Sequence, residues 1–404
     1  MKIACIGNMN NFLFNLTRHL RDRGLDVTLL LLKEYYLFLP QADSFDQEYK
    51  LYTKQLKWYD KPFWKLTKEE IKKDIEDYDF IIGCDASPAF LYKAGIKLNI
   101  FVPLGEDLYG LPFRKVNQKI IGKSLKETYS NIIWYFRKRS YPKYQKKGIQ
   151  NADYVFMNQT PKKFEKIFKK LGIIKQRKKI DCPFIYTPIF NPQSIKNYYH
   201  KSEMTSFFQQ IRRKYDYVIF HHSRHSWKNI RNKWSYKGNE KLIKGYYLFK
   251  KKYPDEKICL VTCEYGPDIS ESKKLIKEYG LESDVIWLPK LNRKEIMIGI
   301  SFADIGVGDL GEGWLSYGTV YEFMAMGVPV MHYRDDVQYK NLYPELYPMI
   351  NANTENEIKN GLELLINNKQ KCIEIGENGR KWLQKYAIDQ PIEQYLAIIN
   401  EHLK

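Results

Sequence analysis

The chain contains no run of eighteen apolar residues, the length a membrane-spanning helix needs, so no transmembrane helix is expected. Its first residues, MKIACIGNMNNF, read as a strand and a turn and lack the cationic-then-apolar order of a secretion leader. Cysteine is sparse, six in 404 residues: Cys5, Cys84, Cys182, Cys259, Cys263 and Cys372. Cys259 and Cys263 are spaced C-x3-C, but no second Cys or His pair stands near to complete a zinc site. No metal is expected, and the thiols read as reduced residues of a cytoplasmic protein. Neither G-x-G-x-x-G nor a Walker A motif occurs, which argues against a dehydrogenase and a P-loop enzyme. Acidic residues are in deficit, 47 against 66 Lys and Arg, for a formal charge of +19. That excess implies an anionic partner: nucleic acid, an acidic membrane surface or a phosphorylated substrate.

What is present is alternation. A chain this long divides by default into two domains. KIACIG, a turn NMNNF, the amphipathic FLFNLTRHLRDRG and the apolar DVTLLLL make a β-α-β unit. DYDFIIG, KLNIFVPLG and DYVFMN continue the series, and the Pro-rich 179–194 reads as the exit from a domain. A second series begins near 203, with strands YDYVIFHHS, KICLVTCEY, DVIWLP, DIGVGD and VPVMHY separated by helical segments. The expected fold class is therefore α/β, two doubly wound Rossmann-like domains, 1–200 and 201–380, with a final helix kinked at Pro391.

In such sheets ligands sit beyond the carboxyl ends of strands. After DIGVGD comes GEGWLSYGTVYEFMAMGVPV, residues 311–330. Its helix is expected to start near Thr319, with Glu322 in the first turn. Amides at that start can hold a phosphate, and the carboxylate can take vicinal ribose hydroxyls. Equally, Glu322 can complement the helix dipole and close a capping box with Thr319. In HHSRHSWKNIRNKWSYKG, Arg224 at a strand end and Lys237-Gly238 at a helix start can neutralise a diphosphate, or belong to a solvated basic loop. His221, His222 and His225 lack an evident acidic companion. Asp107 in VPLGEDLYGLPF can face a ligand or cap its own loop. Gly7 lies in the first tight turn. Residues 114–147 carry eleven Lys and Arg and one acid, with Ile132 to Phe136 between them. That composition suits an anionic lipid surface, single-stranded nucleic acid or a solvated helix with one apolar stripe.

Together these features resemble a GT-B-fold glycosyltransferase, and the second domain resembles the retaining glycosyltransferase family 4. The half from Glu322 to Val330, EFMAMGVPV, matches that family's E-A-M-A-x-G-x-P-V. In the other half, nine residues separate Glu312 from Glu322 where the family has seven between them, so either Glu312 or Trp314 takes the first-glutamate position. The resemblance implies two domains facing a central cleft, the first for the acceptor and the second for the donor. It also implies a helix from about 381 crossing back to the first domain. Arg224 and Lys237 would clamp the donor diphosphate and Glu322 would hold the ribose. Glu312 would touch the sugar, Asp107 would face the cleft, and Gly7 with the amides of Tyr317, Gly318 and Thr319 would help bind phosphate. The implied reaction is retaining and metal-independent, without a cofactor, from a nucleotide-diphosphate sugar to a glycan or lipid-linked acceptor. Its setting would be cytoplasmic, on the inner membrane face, with 114–147 toward anionic lipid. Nucleic acid is not the expected partner. A sugar-nucleotide 2-epimerase and a non-catalytic polyanion-binding protein are the alternatives.

Overall fold

In the computed structural model, the residues described are 1–32, 39–114, 125–157, 162–230, 235–315 and 318–402. The chain forms two compact units. The first comprises Met1–Phe184 with Gln390–Lys404, the second Ile185–Asp389. The units thus part at Phe184, earlier than the expected 200. Ile185, Phe190 and Ile195 are buried, and the second unit claims this apolar segment.

The first unit holds β1 (Lys2–Ile6), β2 (Asp26–Leu31), β3 (Thr53–Gln55), β4 (Phe80–Gly83), β5 (Ile100–Phe101), β6 (Tyr154–Phe156) and β7 (Arg177–Lys178). Their order is β3-β2-β1-β4-β5-β6-β7, and every pairing is parallel. Successive side chains of β1 serve opposite faces, as a pleated strand requires. Ala4 and Ile6 join the core with Ile81 and Phe101. Ile3 and Cys5 join the other core, with Leu13, Leu29 and Ile82. That second core is closed by Ile392, Tyr395 and Ile399 of the last helix, Gln390–His402. A π-helical stretch, Leu383–Asp389, precedes the last helix, and Pro391 sits in that helix's first turn.

The second unit holds β8 (Tyr217–His221), β9 (Ile258–Cys263), β10 (Val285–Leu288), β11 (Ile305–Val307), β12 (Val330–His332) and β13 (Ile350–Asn351). The order is β10-β9-β8-β11-β12-β13, again parallel throughout. Continuous apolar runs such as ICLVTC, buried along its whole length, are what a sheet covered on both faces demands. Both sheets reverse their winding at the first strand, between β1 and β4 and between β8 and β11. The carboxyl ends of those pairs are the places to search for a site.

Candidate active site

At the second unit's reversal point, the chain leaves β8 through His222-Ser223-Arg224 and leaves β11 through Gly308-Asp309. The helix Gly318–Ala325 lies directly on β11 because Gly306 has no side chain. A Cβ there would stand 2.2 Å from the Phe323 ring. This close approach seats Glu322 over the end of β8. Its Oε2 accepts from His222 Nε2 at 2.7 Å and its Oε1 from Arg293 Nε at 2.9 Å. Glu322 is only 5% exposed. Burial pushes its carboxyl up, but His222 and Arg293 outweigh burial and hold it below the usual glutamate value. A carboxylate only accepts, so Nε2 of His222 carries the proton.

This geometry corrects the expected capping box. The helix begins at Gly318, Glu322 lies beyond its first turn, and Thr319 Oγ1 bonds no amide. It also supplies His222 with the acidic companion that the sequence did not reveal.

Arg224 and Lys237 meet at a carboxylate the sequence reading did not single out. Asp309, 1% exposed, pairs with the Lys237 ammonium and accepts from the Gly311 amide at 2.8 Å. Burial holds its carboxyl above the usual aspartate value, although Lys237, the Gly311 amide and then the Arg224 charge pull the other way. Backbone contacts fix the Lys237 turn onto the β11 loop: the Leu310 amide donates to Lys237 O at 3.0 Å. Gly238 takes φ +67°, and a Cβ on it would lie 2.9 Å from Leu310 O. A Cβ on Gly311 would lie 2.3 Å from Tyr236 O.

The loop between the two cations is anchored rather than solvated where it is described. Asp268 accepts from the amides of Trp227, Lys228 and Asn229 and from Asn229 Nδ2. Lys228 pairs with Glu271. Arg231 and Lys233 lie outside the described residues.

The remaining histidines are structural. His221 Nδ1 donates to Val307 O and its Nε2 accepts from Asn239 Nδ2, and burial lowers it to about 3. His225 bonds Ser272 and Thr262, and burial lowers it to about 4. Four of the buried atoms without a hydrogen-bond partner among the described residues gather here: His222 Nδ1, Ser223 Oγ, Arg224 Nε and Thr319 Oγ1. Buried polar atoms are rarely left so. Here three consecutive residues after β8 and one at the start of the facing helix are unpaired together.

The arrangement can be set beside known proteins. HepE from Anabaena, solved with UDP and glucose, superposes with a TM-score of 0.63 at 15% identity. The match covers 99% of this chain and 100% of that one. The fold is GT-B. A Listeria monocytogenes chain named for UDP-N-acetylglucosamine 2-epimerase shares it, at TM-score 0.55 and 12% identity over 100% of this chain and 96% of that chain. An uncharacterised glycosyltransferase of Haemophilus influenzae is 28% identical over 167 residues, 41% of this chain. The match spans 46% of that relative, less than half its length. No protein-family model matches the chain.

In the first unit of this GT-B chain the reversal point lies between Gly7, at the end of β1, and Cys84-Asp85, at the end of β4. Gly7 takes φ +90°, and a Cβ would sit 3.0 Å from Cys84 O, so the turn admits only glycine without strain. Asp107 departs from its expected role. It is 2% exposed and caps its own loop, accepting from the amides of Gly105 at 2.8 Å, Leu104 at 3.0 Å and Asp85 at 3.1 Å. Burial, and then the Asp85 charge, raise it to about 7. The carboxylate braces the backbone of three residues. Glu312 is half-buried in the glycine-rich loop, Gly313 beside it takes φ +69°, and Trp314 is half-buried two residues on. Tyr317 lies outside the described residues, as do 115–124 of the basic segment.

Proposed function

We propose that the chain is a retaining, metal-independent glycosyltransferase. It moves a sugar from a nucleotide-diphosphate sugar to a glycan or lipid-linked acceptor in surface polysaccharide or glycoconjugate synthesis. The observation that carries this is the group of unpartnered buried atoms beside two cations at the second sheet's reversal point. Arg224 Nε, Ser223 Oγ and Thr319 Oγ1 are donors suited to phosphate oxygens. Arg224 and Lys237 bring two positive charges to this end of the sheet, with Asp309 paired to Lys237, and two such cations suit a diphosphate. Glu322 serves the ribose end through His222: with Nε2–H held on the carboxylate, Nδ1 is left to accept from a hydroxyl. Glu312 remains assigned to the sugar and the Gly7 turn to phosphate. HepE, whose complex holds UDP and glucose, supports a donor of this class.

In the proposed step the bond from the anomeric carbon to the diphosphate oxygen breaks, and its electron pair goes to that oxygen. Arg224 and Lys237 stabilise the charge that develops there. The acceptor hydroxyl bonds to the same face of the sugar and yields its proton to the departing phosphate. The 2-epimerase reading rests on the shared fold. It needs proton-moving groups about one sugar carbon, and His221 and His225 are already committed to structural hydrogen bonds.

Thermal shift with UDP, GDP, ADP, CMP and their sugars tests the donor site. One nucleotide family is expected to raise the melting temperature of the native protein and not of Arg224→Ala. If none does, the polyanion-binding reading takes its place. With the responding donor, nucleoside diphosphate release that requires an added acceptor marks a transferase. Interconversion of the sugar without one marks an epimerase.

A further inference from the structure

The glycine-rich loop of the second unit, from Gly308 to Leu315, lies on the exit of β12. Tyr333 N donates to Asp309 O at 3.0 Å and Asp335 N to Gly313 O at 2.9 Å. Two glycines allow so close an approach. A Cβ on Gly308 would lie 3.1 Å from His332 Cβ, and one on Gly313 would lie 2.7 Å from Tyr333 Cε1. Leu315, at the far end of the loop, stands three positions before the start of the helix Gly318–Ala325, which carries Thr319 and Glu322.

The Leu315 carbonyl is held by Tyr347. A carbonyl only accepts, so the Tyr347 hydroxyl gives its one proton to Leu315 O, and its oxygen accepts from His332 Nε2 at 2.8 Å. His332 belongs to β12, so these hydrogen bonds run from the sheet to the loop. Tyr339 adds a hydrogen bond of its own to the Leu315 backbone. The phenol of Tyr347 is fixed on its other sides. The Arg334 guanidinium lies 4.3 Å from the ring centroid and donates to Tyr347 O at 2.8 Å, and the Trp382 ring meets it edge-on at 5.0 Å. Burial, and then the Arg334 charge, lower His332 to about 3, so its imidazole is uncharged near neutral pH.

We infer that Tyr347, backed by His332, is a positioning residue of the proposed donor site: through Leu315 it sets where the start of the helix Gly318–Ala325 meets the donor's phosphates. The inference rests on the donor-site reading above. Tyr347 is 0% exposed, so it touches no ligand itself. Packing does not call for its hydroxyl, since a phenylalanine would fill the same space without the cost of burying a polar group. What the hydroxyl adds is a fixed place for one carbonyl. Four residues further on, Thr319 Oγ1 is buried with no hydrogen-bond partner among the described residues. That oxygen and the amides beside it can serve a phosphate only from the right position.

The test compares the native chain with Tyr347→Phe by calorimetric titration, well below the melting temperature of either. The probes are UDP, GDP and ADP, each beside its own nucleoside. The native chain is expected to bind one diphosphate more tightly than the matching nucleoside. Tyr347→Phe loses one oxygen and keeps the ring. A displacement of about 1 Å in a binding group can cost on the order of 100-fold, so the variant is expected to bind that diphosphate about 10- to 100-fold more weakly. Its affinity for the nucleoside is expected to stay at the native level. Equal weakening of both probes marks a general support of the fold and overturns the inference. Native diphosphate affinity in the variant overturns it too. His332→Gln keeps a side-chain N–H behind the hydroxyl and is expected to bind the diphosphate as the native chain does. A loss there equal to that of Tyr347→Phe overturns the part given to the histidine. If no diphosphate outbinds its nucleoside in the native chain, the donor-site reading itself falls, and this inference with it.

Discussion

Replacing Glu322 by alanine is expected to lower the free energy of unfolding by about 3–5 kcal/mol, the usual cost of removing one partner from a buried charge pair. The reason lies in what is left behind. Arg293, whose side chain is 10% exposed, and His222, 3% exposed, both spend a hydrogen bond on this carboxylate. Phe323 and Phe220 rings flank the imidazole. Glu322→Gln keeps the shape and one acceptor oxygen, so its loss is expected to be smaller. The deficit of the alanine variant also depends on pH. The folded carboxyl is held below the ordinary glutamate value of 4.5. Its contribution is therefore fully present above that value and fades as pH falls through the folded pKa. Urea unfolding at neutral pH and in acid measures both. A loss below about 1 kcal/mol at neutral pH, the range of surface ion pairs, would show that the pair is not the support described.

Arg224→Ala and Lys237→Ala are each expected to cost turnover by on the order of 100- to 1000-fold, the penalty for removing one electrostatic donor from a preorganised site. They are expected to differ in stability. Arg224 is partly exposed and its Nε has no hydrogen-bond partner among the described residues, so the alanine variant should melt close to the native temperature. Lys237 holds Asp309, which is 1% exposed, and its removal leaves that carboxylate buried with only the Gly311 amide and the nearby Arg224 charge. Lys237→Ala should therefore lose stability as well as rate. Single-turnover kinetics with saturating donor, read beside melting curves, separates the two. Equal melting temperatures for both variants, or full turnover in either, would contradict the arrangement.

Much of this fold could be read because its strands are buried and apolar. KIACI, ICLVTC and the glycine-terminated FIIG stand out from their surroundings and alternate with helical segments. The strands not foreseen are the edges: TKQ at 53–55, RK at 177–178 and the two-residue Ile350–Asn351. An edge strand has one neighbour and a solvent side, so it need carry no apolar run; the fourth edge, Val285–Leu288, does carry one and could be read. The site was legible in the same uneven way. Glu322, Arg224 and Lys237 each sit in a local pattern of glycine, strand end and helix start. Their partners carry no such mark. His222 is 100 residues from Glu322, Arg293 is 29 away, and Asp309 is 72 from Lys237. Only parallel crossover topology brings these together. Asp107 misled for the converse reason. GEDLYG has the composition of an exposed turn, and nothing local says that the Asp85 amide, 22 residues earlier, will cover it.

The path of the chain through its two units sets an order of assembly. The second unit is one unbroken stretch, Ile185–Asp389, whereas the first waits for Ile392, Tyr395 and Ile399 to close one of its cores. At about 5–20 residues per second, roughly 10–45 s of synthesis separate the end of the first stretch from those residues. The amino-terminal unit is thus born first and finished last. The usual vectorial order reverses, and an incomplete apolar sheet face stays open while its neighbour matures. A chain ending at Asp389 should show this in limited proteolysis, with Ile185–Asp389 resistant and the first 184 residues cut. Equal resistance of both would mean that the last helix only decorates a core already complete.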